Sequence, residues 1–135
     1  MTRKQGATSE AFAVAYYTAM GYKVSLPQQE CRYDILVDTG MEILRVQVKS
    51  TSYKRPRSKA YTAQLCTSGG NRSGTGKISY ITVDECDVVF IMADSGQFWE
   101  LPSKLCENKR SIGLTEELNE YKLKMTVSWA GGEPY

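Results

Sequence analysis

The chain has 135 residues, 41% hydrophobic and 24% charged, with a net charge of +2 and no histidine. That length fits one domain with a core of its own, and no apolar run nears the roughly 20 residues of a bilayer span. No signal-peptide core opens the chain, so a cytoplasmic protein without a membrane partner is expected. The missing histidine removes Ser-His and Cys-His nucleophile pairs. Cys31, Cys66, Cys86 and Cys106 are scattered with no Cys-x-x-Cys pair, which argues against structural zinc and for reduced, packed side chains. Chemistry in this chain therefore falls to carboxylates, lysine and a hard metal.

In chain order, Phe12, Tyr16, Tyr17 and Met20 recur at helical spacing. They predict a helix capped by Thr8 or Ser9 and stopped by Gly21. Residues 22–26 and 33–37 read as short strands, with a turn at 38–41. From Glu42 to Lys49 the period is two, so Gln47 and Lys49 share a face. A basic loop broken by Pro56 follows, then a strand over 60–66 and a Gly/Ser-rich loop over 67–77. Residues 86–92 form the most hydrophobic run, expected to be a central buried strand in a hairpin with 98–101. Pro102 is expected to start a short helix, a second is expected near 115–121, and 129–135 reads as a loose tail. The expected fold class is α/β, a mixed sheet with helices. The core covers about 6–102, and the C-terminal helices and tail cover 103–135.

Charge is unevenly spread. No acidic residue lies between Ile43 and Val83, yet Arg45, Lys49, Lys54, Arg55, Arg57, Lys59, Arg72 and Lys77 all do. Clustered charge is usually a solvated loop, but a stretch of one sign this long suits a polyanion, and nucleic acid is the first partner to consider. The strand over 60–66 would carry Tyr61 or Gln64 into the major groove while the flanking cations set register on phosphates.

Asp34 lies in one strand and Gln47-Val48-Lys49 in the next. Adjacent strands are about 4.8 Å apart, so Asp34 falls within one divalent ion's reach of Gln47 and Lys49. A carboxylate, oxygen donors and a nearby ammonium are what metal-assisted phosphodiester hydrolysis needs. On pattern alone, Glu10 reads first as an acid complementing a helix dipole.

With Gly6-Ala-Thr-Ser-Glu10, Gly21-Tyr-Lys-Val24, Tyr33-Asp34, Val46-Gln-Val-Lys49 and Phe98-Trp-Glu-Leu-Pro102, the chain resembles the PD-(D/E)XK nucleases. Within them it is most similar to the small homing endonucleases of cyanobacteria and phages, and next to the Holliday-junction resolvases. The resemblance implies a core ordered helix, strand, strand, strand, helix, strand. It also implies a Mg²⁺-dependent endonuclease acting on double-stranded DNA, with Mn²⁺ an acceptable substitute, as a homodimer or homotetramer. Asp34, Glu10 and the Val48 carbonyl would ligate the metal, and Lys49 would be the motif lysine. Gln47 stands where the second acid is usual, and Tyr33 stands in place of the name-giving proline. A junction resolvase and a non-catalytic DNA-binding relative are the alternatives on the same scaffold.

Overall fold

The structure, a computed structural model, describes residues 3–68 and 78–129. Helix α1 spans Arg3–Ala19. It starts earlier than a cap at Thr8 or Ser9 would allow, because both hydroxyls turn back onto helix carbonyls. Thr8 Oγ1 donates to Lys4 O at 2.7 Å and Ser9 Oγ to Gln5 O at 2.9 Å, a use of interior hydroxyls that competes with capping. The helix stops where expected, at Gly21, whose φ of 86° is left-handed.

Among the described residues ten strands follow or interleave: β1 (Lys23–Ser25), β2 (Ile35–Asp38), β3 (Ile43–Thr51), β4 (Thr62–Gln64), β5 (Thr67–Ser68), β6 (Ile78–Ser79), β7 (Val88–Ala93), β8 (Gln97–Pro102), β9 (Ser111–Gly113) and β10 (Lys122–Thr126). Helix α2 covers Ser103–Cys106 and a 3₁₀ helix covers Glu116–Tyr121. The main sheet has the order β1-β2-β3-β7-β8-β10, with β3 and β7 parallel and the other pairs antiparallel. It is the mixed sheet expected from the sequence.

Alternation along the strands divides the core in two. Ile35, Val37, Val46, Val48, Phe90, Met92 and Phe98 face Ala13 and Tyr17 of α1. On the other face Val89, Ile91, Trp99 and Leu101 pack against Tyr61, Ala63, Leu65, Ile81 and Ile112. This second layer comes from the crossover joining β3 to β7 and from the C-terminal segment. Among its described residues the crossover holds the short strands β4, β5 and β6, and residues 69–77 of it lie outside the described residues.

Several expectations are refined. The segment 60–66 does not join the main sheet; β4 pairs instead with β9, and β5 with β6. Residues 122–126, expected to follow a helix into the tail, form the edge strand β10. Trp129, taken as the start of a loose tail, stands edge-on to Phe12 with ring centroids 5.7 Å apart. Pro102 precedes α2 instead of opening it.

Candidate active site

Strand β2 begins at Ile35, but β3 runs on to Thr51, so the two strands part beside Val46. Asp34 sits in the fork. Its N–H donates to Val46 O at 2.9 Å, and its Oδ2 accepts the Val48 N–H at 2.7 Å, where a carbonyl of a longer β2 would have been. The parting of the strands thus leaves one backbone donor, and the carboxylate takes it.

Lys49 follows on β3. It is 8% exposed, and burial pushes its pKa below the ordinary lysine value of 10.5; Asp34 opposes that shift and Arg32 adds to it. Asp34 itself is held above 3.8, with burial outweighing the Val48 hydrogen bond and the Lys49 charge that pull the other way. Glu10, one turn before Ala13 on α1, is also raised, first by burial and then by the negative charge of Asp34. The helix and the fork therefore bring two carboxylates into each other's field beside a buried ammonium. Gln47 is half-buried on β3, opposite Val89 of β7.

Among the described residues no group of three or more His, Cys, Asp or Glu gathers to hold an ion. The donor set here is different: two carboxylates of like charge that repel each other, and the carbonyl of Val48, which leaves an extended strand on the same side as the N–H bonded to Asp34. All are hard oxygens, which suit a hard divalent cation better than zinc. The residues present fit such an ion.

A cleft of about 470 Å³ opens at the end of β3, lined by Lys49, Ser50, Thr51, Thr62 and Gln64 among others. Beyond it β3 continues into a hairpin. The Thr62 N–H donates to Tyr53 O, Lys54 and Tyr61 form a bridge, and the Arg55 N–H donates to Ala60 O. Its tip holds Pro56, Arg57, Ser58 and Lys59, all exposed, with Lys59 in the left-handed region at φ 57°.

The cations expected to meet DNA divide sharply. Lys54, Arg55, Arg57 and Lys59 are exposed on this hairpin, with Lys54 Nζ 4.9 Å from the Tyr61 ring centroid and Arg55 Nε bonded to Thr62 Oγ1 at 3.0 Å. Gln64 is exposed on β4. Tyr61 corrects the sequence expectation: it is 6% exposed, belongs to the core and donates its hydroxyl to Asp94 at 2.6 Å, so it has no free edge for a base. Arg45 is a second correction. It lies nearer the opposite end of β3 from Thr51, paired to Asp87 at 3.0 Å and donating to the Asp84 and Val83 carbonyls, so its charge is already spent. Arg72 and Lys77 lie outside the described residues.

Sequence reasoning passed over Arg32. It pairs with Glu85 at 3.0 Å, donates to Tyr80 O at 2.9 Å and sits two residues before Asp34. Its only signal in the sequence is that proximity. The buried thiols of Cys86 and Cys106 are pushed up to about 11 and about 12 by desolvation, which keeps them protonated and unreactive.

A family model described as PD-(D/E)XK endonuclease matches residues 1–131. The fold is similar to that of a bacterial homing endonuclease, I-Ssp6803I, with a TM-score of 0.76 over 90% of this chain and 88% of that one, at 21% identity. No curated protein matches the sequence.

Proposed function

The chain belongs to the PD-(D/E)XK endonuclease family, and from that premise we propose that it is a Mg²⁺-dependent endonuclease of duplex DNA, of the site-specific homing type. One observation carries this reading: the Asp34 carboxylate, lodged where β2 leaves β3, stands beside a lysine that is 8% exposed.

Asp34, Glu10 and the Val48 carbonyl would hold the ion, with Mn²⁺ able to replace it. A bound divalent ion supplies Lewis acidity at the phosphate and a more acidic water. The chain's own groups do the rest. The Val48 N–H fixes the rotamer of Asp34 and leaves its second oxygen for the ion. Glu10 comes from a different element, so the packing of α1 on the sheet brings the ligand pair together. Lys49 is a poorly hydrated ammonium whose charge gains strength from burial. It stabilises the negative charge that grows on the phosphate as the bond breaks, or orients the attacking water. Gln47, a neutral amide, is suited to hydrogen-bonding the water or a phosphate oxygen. The hairpin cations lie along the continuation of the same strand, so a duplex bound by Arg57 and Lys59 is led to Lys49.

Cleaving both strands takes two such sites, so a homodimer or homotetramer of this single unit is proposed, acting in the cytoplasm. The test is cleavage of linear duplex and of a four-way junction with Mg²⁺, Mn²⁺ or chelator. Metal-dependent scission of the duplex is expected. Asp34→Asn and Lys49→Met should each reduce the rate by on the order of 10²–10⁴-fold while DNA affinity changes little. Full activity of either variant would remove the assigned site, preference for the junction would make the chain a resolvase, and binding without scission in any metal would leave a DNA-binding protein.

A further inference from the structure

We propose that the connection between β1 and β2, residues 27–33, is a base-reading loop, and that the carboxamides of Gln28 and Gln29 set the preference for base pairs next to the cleaved bond. This rests on the endonuclease reading above and goes beyond it, because it assigns affinity and sequence choice to different parts of the chain.

Three observations support it. The loop runs directly into Asp34, and Gln28 is six residues from that carboxylate. A fully extended chain of that length reaches roughly 20 Å, about six base-pair steps at 3.4 Å each. Whatever Gln28 and Gln29 touch must therefore lie close to the scissile phosphate.

The crown of the loop also has the chemistry for bases and not for phosphates. Gln28, Gln29, Glu30 and Cys31 are exposed in an unbroken run, and none is a cation. A carboxamide offers a donor and an acceptor side by side, the pattern that meets the N6 and N7 edge of adenine in the major groove. The exposed hairpin tip at 56–59 has the opposite character, with Arg57 and Lys59 suited to phosphates and no amide side chain. The loop leads into β2 and the hairpin continues β3, the two strands that part beside Asp34.

The loop is also held still at its ends. Pro27 fixes its own φ. At the other end Arg32 is tied to the Tyr80 carbonyl at 2.9 Å and to Glu85 at 3.0 Å. The Tyr33 ring packs against the core beneath the sheet, and Cys31 Sγ donates to Tyr33 O at 3.3 Å. A shallow cleft of about 350 Å³ lies against residues 27–31 and Tyr33. A recognition element with fixed ends spends little binding energy on ordering itself, which is what discrimination between bases requires.

The experiment starts from a site that the wild-type protein selects from random-sequence duplex with Mg²⁺. That site is then randomised for six base pairs on each side of the cut, and the cleavage profiles of wild type, Gln28→Ala, Gln29→Ala and the double variant are compared. All variants are expected to cut the same phosphate, and at one or two randomised positions the preference should fall about tenfold. The dependence of binding on salt should not change, since no charge is removed. A profile identical to wild type, or an equal loss at every position, overturns the proposal while the endonuclease reading stands. Failure of the wild type to cut any duplex overturns both.

Discussion

Glu10 carries charge where the fold resists it, and that gives a test at the level of one residue. Its pKa is raised above 4.5 by burial and by Asp34. The folded chain therefore binds this proton more tightly than the unfolded chain does. Stability from this group is complete below 4.5 and is lost as pH climbs through the raised value, so at neutral pH the whole cost is present. Glu10→Gln removes it. In chelator at pH 7 the variant is expected to melt at or above the wild-type temperature, and below pH 4.5 the difference should disappear. Added Mg²⁺ should raise the wild-type midpoint and leave the variant's nearly unmoved. A lower midpoint for Glu10→Gln at pH 7 would show that the carboxylate is stabilising the fold and not waiting for a cation. Asp34 shares the sense of this effect, and Lys49 has the reverse, since burial lowers its pKa and its charge costs most below that lowered value.

At the scale of elements, the sheet depends on one tight turn. Gly96 joins β7 to β8 at φ 87°, and a Cβ there would stand 1.9 Å from Val127 O. The same close approach allows the Val127 N–H to donate to Gly96 O at 2.9 Å, which ties the end of β10 to the hairpin. Gly96→Ala meets both a left-handed backbone and a backbone clash, so it should cost at least about 2 kcal/mol, read as a lower urea midpoint with an unchanged slope. A loss under 0.5 kcal/mol, on the order expected of a surface substitution, would mean that β10 is not held there. The turn was legible in the sequence because Asp94-Ser-Gly-Gln97 separates two apolar runs. Strand β10 was not. In Lys122-Leu-Lys-Met-Thr126, Leu123 and Met125 pack toward α1 while Lys124 and Thr126 stay exposed, and so short a pattern between a helix signal and a polar tail does not announce a partner. Segment 60–66 does hold a strand, β4, but its partner β9 lies far along the chain, where no local pattern points to it.

For the whole molecule, the proposed binding of duplex DNA turns on which cations are left available to phosphates. Arg45, Arg57 and Lys59 all come from the same acid-free stretch, yet Arg45 is neutralised by Asp87 and the other two are exposed at the hairpin tip. Each lost phosphate contact lowers the slope of log affinity against log salt by about 0.9. Arg57→Ala and Lys59→Ala should each flatten the slope by that amount, and Arg45→Ala should leave it alone. Equal effects from all three would show that the counterion release comes from diffuse charge and not from the hairpin.

The sequence alone determined the mixed sheet, the buried strand, the acid-free cationic stretch and the nearness of Asp34 to Lys49. Each of these is local: a period of two or 3.6, a run of one charge sign, or two residues brought near each other by a short turn. Only the tertiary structure decided that Arg45 is spent, that Tyr61 is core, that the crossover covers a face of the sheet, and that Arg32 anchors the loop entering the site. Those outcomes depend on Asp87, Asp94 and Tyr80, all more than thirty residues distant in the chain. The energy of such contacts is set by which groups the folded sheet brings together, and no spacing rule along the chain encodes it.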